Sequence, residues 1–362
     1  MKGKFLDTMI TFLTGTASGF SQTVLEKIAR LALALIEKGT VRIAQLMRYQ
    51  SEIQGYYKIV QRIGQQSREL FTILFQKFCV YLFSLFPLYK NLDAEIYLVI
   101  DTTTFPREKS RKTDWIGDVY DDRGGVIRGI RVVVICAILR ISKKKWIRFP
   151  LGFEEITGAK LDQTGCSQNQ VIIRLIEDVL RRLVERGFQK EKIVLIGDRE
   201  FGGRQIEAAV KRLGIRYVLR RQKGRYNKES FEILSNLDGR RARRVYRIRG
   251  RIEEFNSFLK SRGVDFCKER FLGNSYFRFF FSAVLAVIAW LMLLALLSED
   301  FGGLKWCWRF LEPGRIFLEI TKIGIPPPSL RRILLQMENL IDEFFLDYPA
   351  RIPPRPRRVE MS

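Results

Sequence analysis

The hydrophobic residues of this chain change their spacing at residues 87–95, a polar, turn-forming segment of sequence PLYKNLDAE. From residue 24 to about residue 86, apolar residues recur at the spacing of helices, whereas after residue 95 they gather in extended, β-branched runs. Because the two spacings belong to different kinds of secondary structure, the pattern predicts an all-helical domain at residues 1–90 and a second domain that begins near residue 91.

The second domain alternates extended and helical segments. Strands are predicted at residues 95–105, 126–140, 144–153 and 192–202 and from residue 216, with helices at residues 169–186 and 204–213. The first three strands follow one another without a long helix, which favours an antiparallel meander. The later strands alternate with helices, so we expect an α/β fold with a mixed sheet and flanking helices.

A run of 19 residues at 279–297, FFFSAVLAVIAWLMLLALL, contains only Ser282 as a polar interruption. Its length suffices for a membrane span. Acidic Glu299 and Asp300 follow it directly, and the strands and amphipathic helices before it need a buried central element, which favours a core helix. We therefore extend the second domain to residue 297 and expect no membrane, with a membrane-anchored protein as the alternative. Residues 298–362 form a C-terminal segment with one amphipathic helix and a Pro/Arg-rich tail.

The composition excludes several classes of catalyst and suggests a partner. The chain has no histidine, which removes Ser-His-Asp and Cys-His catalysis and leaves carboxylates for hydrolytic chemistry. Its net charge of +24 indicates a polyanionic partner. The five cysteines are widely spaced and include no C-x-x-C pair, which fits a reducing cytoplasm.

The helical segments before residue 86 carry four basic residues that leave two interpretations open. Arg42, Arg48, Lys58 and Arg62 are predicted to lie on short helices joined by tight turns. A helix-turn-helix-like DNA reader and a plain helical bundle with a basic solvent face account for them equally well.

Three carboxylates are candidates for the reactive site. Asp101 in YLVIDTTTF and Asp198 in VLIGDREFG are each predicted to lie at the C-terminal end of an apolar strand, where an Asp is costly unless a cation or a donor compensates it. Turn or capping roles are the alternative. Glu253 shares a spacing of 0, 3, 7 and 14 with Tyr246, Arg249 and Lys260, which on a helix selects one stripe. A plain surface ion pair between Arg249 and Glu253 is the alternative there.

These residues resemble a known family, the DDE transposases of bacterial insertion sequences. Tyr246, Arg249, Glu253 and Lys260 match the Tyr-Arg-Glu-Lys signature of the insertion-sequence-four group, and the segments around Asp101 and Asp198 match its two Asp motifs. The resemblance implies an RNase H-like fold. It also implies that Asp101, Asp198 and Glu253 bind two Mg²⁺ or Mn²⁺ ions for cleavage and transfer of DNA strands.

The same resemblance implies partners. Tyr246, Arg249 and Lys260 would contact phosphates at the cleaved end, and the protein would act as a homodimer on double-stranded DNA, namely inverted-repeat ends and a target. Glu254, the neighbour of Glu253, points about 100° away on a helix and is the weaker candidate.

The interval between Asp198 and Glu253 is short and basic. It spans 55 positions, so the β-rich insertion of this group is reduced here to about residues 220–245. Residues 216–251 contain 13 basic and 3 acidic residues, Arg243 and Arg244 among the basic ones, which suits a DNA backbone. The short interval also supports a second hypothesis, a catalytically inactive DNA-binding protein derived from a transposase.

Overall fold

A computed structural model of the chain describes residues 68–84, 95–107, 116–120, 125–140, 146–156, 167–222, 231–257 and 259–260, with individual residues between 10 and 30 and between 274 and 292. Three of the predicted features lie outside the described residues: the basic positions Arg42, Arg48, Lys58 and Arg62, the segment 298–362, and Cys166, Cys267 and Cys307. Cys79 and Cys136 are buried free thiols.

One mixed sheet organises the described part of the chain. Its strands are β1 (Ile96–Pro106), β2 (Gly117–Tyr120), β3 (Val126–Arg140), β4 (Trp146–Ile156), β5 (Ile193–Gly197), β6 (Arg216–Gln222) and β7 (Phe231–Ser235). The strand order is β2-β3-β1-β5-β6-β7, and β4 also pairs with β3. Strands β1, β5 and β6 are parallel, whereas β3 is antiparallel to both β1 and β4.

This sheet confirms the predicted antiparallel meander of β1, β3 and β4 and the mixed sheet, and it is consistent with the RNase H-like expectation. Two of the strands were not predicted from the sequence. Strand β2 has four residues in a polar stretch, and β7 has five residues inside the basic interval, where it pairs antiparallel with β6. Both are too short for an alternating pattern to stand out from their surroundings.

The sheet is flanked by helices α1 (Arg68–Ser84), α2 (Gln168–Glu185), α3 (Arg204–Leu213), α4 (Gly239–Tyr246) and α5 (Gly250–Ser257). Helix α2 begins with a capping box, in which Ser167 and Gln170 each accept a hydrogen bond from the other's backbone. Its apolar residues at four-residue steps, Val171, Leu175, Val179 and Leu183, are buried.

The core lies between the sheet and these helices. Helix α1 packs against β4 and α2, and its Phe83 ring lies 5.3 Å from that of Phe149 on β4. Helix α1 therefore packs onto the same core as the sheet, although it precedes the predicted domain start.

The described residues of the apolar run after residue 274 are helical and buried. Phe281 packs its ring 4.5 Å from that of Phe153 on β4 and 5.8 Å from that of Phe105 on β1. Both strands belong to the central sheet, so these positions support a core helix. Across the described ranges, no helix combines the length and the apolar character that a membrane crossing requires.

Candidate active site

Asp101 and Asp198 lie side by side on neighbouring strands. Parallel pairing of β1 with β5 matches Ile100 to Gly197, and the residue that follows each of these is one of the two acids. Strand β5 ends at Gly197, so Asp198 lies at its carboxyl end as predicted, but the strand is shorter than the predicted residues 192–202. Strand β1 continues to Pro106 because β3 stays paired with it, so the prediction that Asp101 ends its strand is wrong. The apolar run ends at Asp101, but the hydrogen-bonded ladder does not.

A tight turn after β5 sets the position of Asp198. Residues Arg199–Phe201 form a 3₁₀ turn, and the Asp198 Oδ1 atom caps it by accepting a hydrogen bond of 2.6 Å from the Arg199 backbone N–H. Gly202 ends the turn against β6, where a Cβ atom would lie 2.1 Å from the carbonyl oxygen of Arg220. The GDREFG motif is thus explained by a capping Asp and a glycine that allows close backbone approach.

Arg249 joins the three predicted acids. Its Nη2 atom lies 3.0 Å from Asp198 Oδ2 and 3.7 Å from Asp101 Oδ1, and its Nη1 atom lies 2.5 Å from Glu253 Oε1. Burial lowers the pKa of Arg249, but the surrounding carboxylates outweigh that effect and raise it above its ordinary value. Three acids from distant parts of the chain therefore meet around one guanidinium.

The three acids differ in their exposure to solvent. The side chain of Asp101 is 12% exposed and that of Asp198 is 20% exposed, whereas that of Glu253 is 58% exposed. Asp101 and Asp198 are held by the sheet, and Glu253 extends from a helix at the edge of the site. Glu253 consequently has the most freedom to change its position when a ligand enters.

The segment that carries Tyr246, Arg249 and Glu253 is not one helix, so that prediction is wrong. Helix α4 ends at Tyr246, Arg249 belongs to a 3₁₀ turn, and α5 begins at Gly250, whose low helix propensity explains the break. The predicted residues still converge. The Tyr246 hydroxyl donates to Asp198 Oδ1 at 3.3 Å, and Lys260 lines the same cleft as the three acids.

Burial raises the pKa of two of these groups. It raises the pKa of Asp101 to about 6, because the lowering effect of Arg249 is smaller and the Asp198 carboxylate adds to the rise. Burial and the negative charge of Asp198 also raise the pKa of Tyr246. Tyr246 thus remains a neutral hydrogen-bond donor to Asp198 near neutral pH.

A second network, beside Asp101, involves residues that the sequence patterns did not single out. Glu200 accepts hydrogen bonds of 2.6 Å from Thr102 and from Gln168, and it forms an ion pair with Arg131. The sequence held only weak indications of their roles: Arg131 is a charged residue within an apolar strand, and Glu200 follows Asp198 by two residues. This network orders the wall of the cleft next to Asp101.

Asn256 is a further functional candidate that the patterns missed. It is buried in α5, one turn after Glu253, and its Nδ2 atom donates a hydrogen bond of 3.0 Å to Asp101 Oδ2. Spacing on the helix was the signal that could have identified it, because residues three apart share a face.

The two networks border one cleft of about 530 Å³. The charged and amide residues among those that line it are Asp101, Arg131, Asp198, Arg199, Glu200, Arg249, Glu253, Asn256 and Lys260. Both signs of charge face the cleft, so it offers carboxylates to a cation and guanidinium or ammonium groups to an anion.

A basic surface adjoins the cleft on α4. Arg243 and Arg244 are exposed there, and together with exposed Arg240 and Arg247 they follow the spacing of one helical stripe. Glu254, by contrast, pairs with Arg148 on β4 and with Arg251. Its engagement away from the cleft agrees with the prediction that it is the weaker candidate.

The donor atoms of the cleft fit a hard divalent cation. Carboxylate and amide oxygens are the ligands that Mg²⁺ and Mn²⁺ prefer, and the buried Thr103 Oγ1 and Asn256 Oδ1 atoms have no hydrogen-bond partner within the described residues. The guanidinium of Arg249 already supplies a positive charge to the acids. In this arrangement, no three acidic or cysteine side chains of the described segments are grouped closely enough to hold one metal ion.

Comparison with known proteins adds one finding. A family model described as "Transposase DDE domain" matches residues 93–292, more than half of the chain and nearly all of the described strands and helices. Asp101, Asp198, Arg249 and Glu253 all fall within the matched region. No curated protein matches the chain.

Proposed function

Because the chain belongs to the transposase DDE domain family, we propose that it cleaves and joins transposon ends by metal-dependent phosphodiester hydrolysis and strand transfer. The observation that carries this proposal is the meeting of Asp101, Asp198 and Glu253 around the guanidinium of Arg249. Two bound Mg²⁺ or Mn²⁺ ions would supply Lewis-acid stabilisation of the attacking and leaving oxygens in an in-line displacement.

The protein's own residues would divide the work between the metal ions and the DNA. Asp101, Asp198 and Glu253 would hold the ions, and the sheet keeps the first two in fixed positions. Arg249 would bind a phosphate at the cleaved end with its planar fork, while Lys260 would act as a point charge at the wall of the cleft. Tyr246, which donates to Asp198, would fix the orientation of that carboxylate and lie beside the same phosphate.

The surrounding surface would hold the DNA backbone. The exposed arginines of α4, including Arg243 and Arg244, would contact phosphates of double-stranded DNA without reading its sequence. We further propose that residues 1–90 form a helical DNA-binding domain whose last helix, α1, packs on the core of the sheet, and that residues 91–297 form the catalytic domain. A homodimer would act on two inverted-repeat ends and a target in the cytoplasm. Membership of the insertion-sequence-four group, proposed from the signature residues, belongs with these proposals.

A catalytically inactive derivative that binds DNA is the second candidate. The short interval between Asp198 and Glu253 favours it, because in the described residues that interval contributes only β6, β7, α3 and α4 to the domain. Both candidates share the basic surface, so DNA binding alone does not distinguish them.

Cleavage of a labelled DNA that carries the flanks of the coding sequence separates the candidates. With Mg²⁺ present, the proposed transposase cuts this DNA, and Asp198→Ala abolishes the cutting. Exposed Asp118→Ala on β2 is the matched control and keeps wild-type activity. Cutting by Asp198→Ala would contradict the carboxylate assignment, and DNA binding without any cutting by the wild type would favour the inactive derivative.

A further inference from the structure

Asn256 holds Asp101 in a fixed orientation. Its side chain is buried in α5, with the residue 7% exposed, and its Nδ2 atom lies 3.0 Å from Asp101 Oδ2. A carboxylate only accepts hydrogen bonds, so the amide nitrogen of Asn256 must face Asp101. The carbonyl oxygen of the same amide is therefore directed elsewhere.

That carbonyl oxygen lacks a hydrogen-bond partner among the residues that the structure describes. A buried polar atom without a partner is destabilising, so such atoms are uncommon unless a ligand or water satisfies them. Asn256 lines the cleft, which gives a ligand access to this oxygen.

Thr103, two residues after Asp101 on β1, repeats the pattern. It is 1% exposed and lines the cleft, and its Oγ1 atom also has no hydrogen-bond partner within the described chain. Because side chains two residues apart on a strand share a face, Thr103 lies on the same face of β1 as Asp101. Two neutral oxygens thus flank one carboxylate in the cleft.

We propose that Asn256 is a positioning residue for the divalent cation at Asp101. Its amide nitrogen orients the carboxylate, and its carbonyl oxygen accepts a hydrogen bond from the water shell that a cation such as Mg²⁺ retains, with Thr103 Oγ1 as a second acceptor. This inference rests on the proposed metal-dependent function. Loss of such supporting contacts typically weakens metal binding by about 10–100-fold.

Titration of the full chain with Mn²⁺, followed by the electron paramagnetic resonance signal of the free ion, tests this role without requiring catalysis. We expect Asn256→Leu to raise the Kd for Mn²⁺ by about tenfold. Asn256→Asp, which keeps an oxygen but loses the donor to Asp101, should bind Mn²⁺ more tightly than Asn256→Leu. Asn274→Leu is the matched control: Asn274 is also 7% exposed with an unpartnered Oδ1 atom, but it does not line the cleft.

The double variant Asn256→Leu/Ser257→Asp is the control for the added negative charge of Asn256→Asp. It places a carboxylate at the next residue and should not restore the affinity for Mn²⁺. Thermal unfolding of each variant verifies that it is folded, and Asn256→Ser replaces Asn256→Leu if the latter does not fold.

Wild-type affinity in the folded variant that removes the Asn256 oxygen overturns the inference and leaves the proposed function intact. The inference is also overturned if Asn256→Asp binds as weakly as that variant, because the oxygen at residue 256 would then contribute nothing to metal binding. Restored affinity in the double variant with Ser257→Asp overturns it as well. Absence of Mn²⁺ binding by the wild type would refute the metal-dependent function and this inference together.

Discussion

At the scale of single residues, Arg249 determines the charge balance of the cleft. Its guanidinium contacts Asp101, Asp198 and Glu253, the residues assigned to the metal ions, and it is also the residue assigned to a DNA phosphate. It cannot serve all these partners at once. We therefore expect the carboxylates to become fully available to metal ions only when a phosphate attracts Arg249 away from them.

This competition predicts that Arg249→Met tightens Mn²⁺ binding by the protein in the absence of DNA. Removal of one unit charge about 4 Å from the ligands changes the binding energy by ~1 kcal/mol in water, equivalent to about fivefold in Kd. The same titration with Arg240→Met, which removes an equal charge from the exposed face of α4, is the control and changes Kd less. Unchanged or weaker Mn²⁺ binding by Arg249→Met would contradict the competition.

The buried position of Asp101 predicts that the folding stability of the metal-free protein depends on pH. Its pKa rises from 3.8 when unfolded to about 6 when folded, so folding favours the protonated form. The stability that this group contributes is complete below pH 3.8 and is lost as the pH rises through 6. At ~1.4 kcal/mol per pKa unit, the loss reaches about 3 kcal/mol at pH 7.

Asp101→Asn, which stays neutral, should therefore gain up to about 3 kcal/mol relative to the wild type between pH 4 and pH 7. Urea unfolding with EDTA at both pH values measures this difference. Asp118→Asn, at an exposed position on β2, measures how much the loss of an exposed carboxylate changes the stability at each pH. A stability gap between wild type and Asp101→Asn that is the same at both pH values would argue against a raised pKa.

At the scale of secondary structure, long segments with a regular spacing of apolar residues could be predicted from the sequence, whereas the points where one element ends and the next begins could not. The strand at residues 126–140 and the helix at residues 204–213 have the predicted bounds because their apolar residues alternate or recur over their whole length. The helix predicted through Tyr246 and Glu253 is interrupted by the 3₁₀ turn Arg247–Arg249 just before Gly250, whose low helix propensity explains the break. The three acids could be predicted from the strand positions of Asp101 and Asp198 and from the signature spacing of Glu253. The roles of Asn256 and Glu200 were not predicted, because both side chains contact residues that are distant in the sequence.

The turn after β5 predicts a large effect of one methyl group. A Cβ atom on residue 202 would lie 2.1 Å from the Arg220 carbonyl oxygen, so Gly202→Ala must push β6 away from the turn that Asp198 caps. We expect a loss of about 1–3 kcal/mol in urea unfolding. Gly239→Ala, where a Cβ meets nothing within 4 Å, should change stability by less than about 1 kcal/mol. Equal losses of stability from the two substitutions would show that the turn and β6 can move apart at little cost in free energy.

At the scale of the whole molecule, the uneven distribution of charge favours one face for DNA. The net charge is +24, and residues 216–251 contribute 13 basic residues against 3 acidic ones. Many arginines elsewhere already have acidic partners: Arg181 pairs with Asp178 and Glu185 on α2, and Arg212 pairs with Glu177 at 2.9 Å. Among the described residues, the exposed arginines on α4 and just after it, Arg240, Arg243, Arg244 and Arg247, therefore offer positive charge to a polyanion.

This asymmetry predicts which arginines set the salt dependence of DNA binding. If about eight phosphates are neutralised, the slope of log K against log salt is about −7, and each lost phosphate contact reduces its magnitude by about 0.9. Arg243→Gln/Arg244→Gln should thus reduce the slope by about 2 in fluorescence anisotropy titrations with duplex DNA. Arg181→Gln/Arg212→Gln removes the same charge from residues that already have acidic partners and should leave the slope near its wild-type value, because those arginines neutralise no phosphate. Equal reductions by both pairs would mean that the DNA responds to net charge alone and that α4 is not the contact surface.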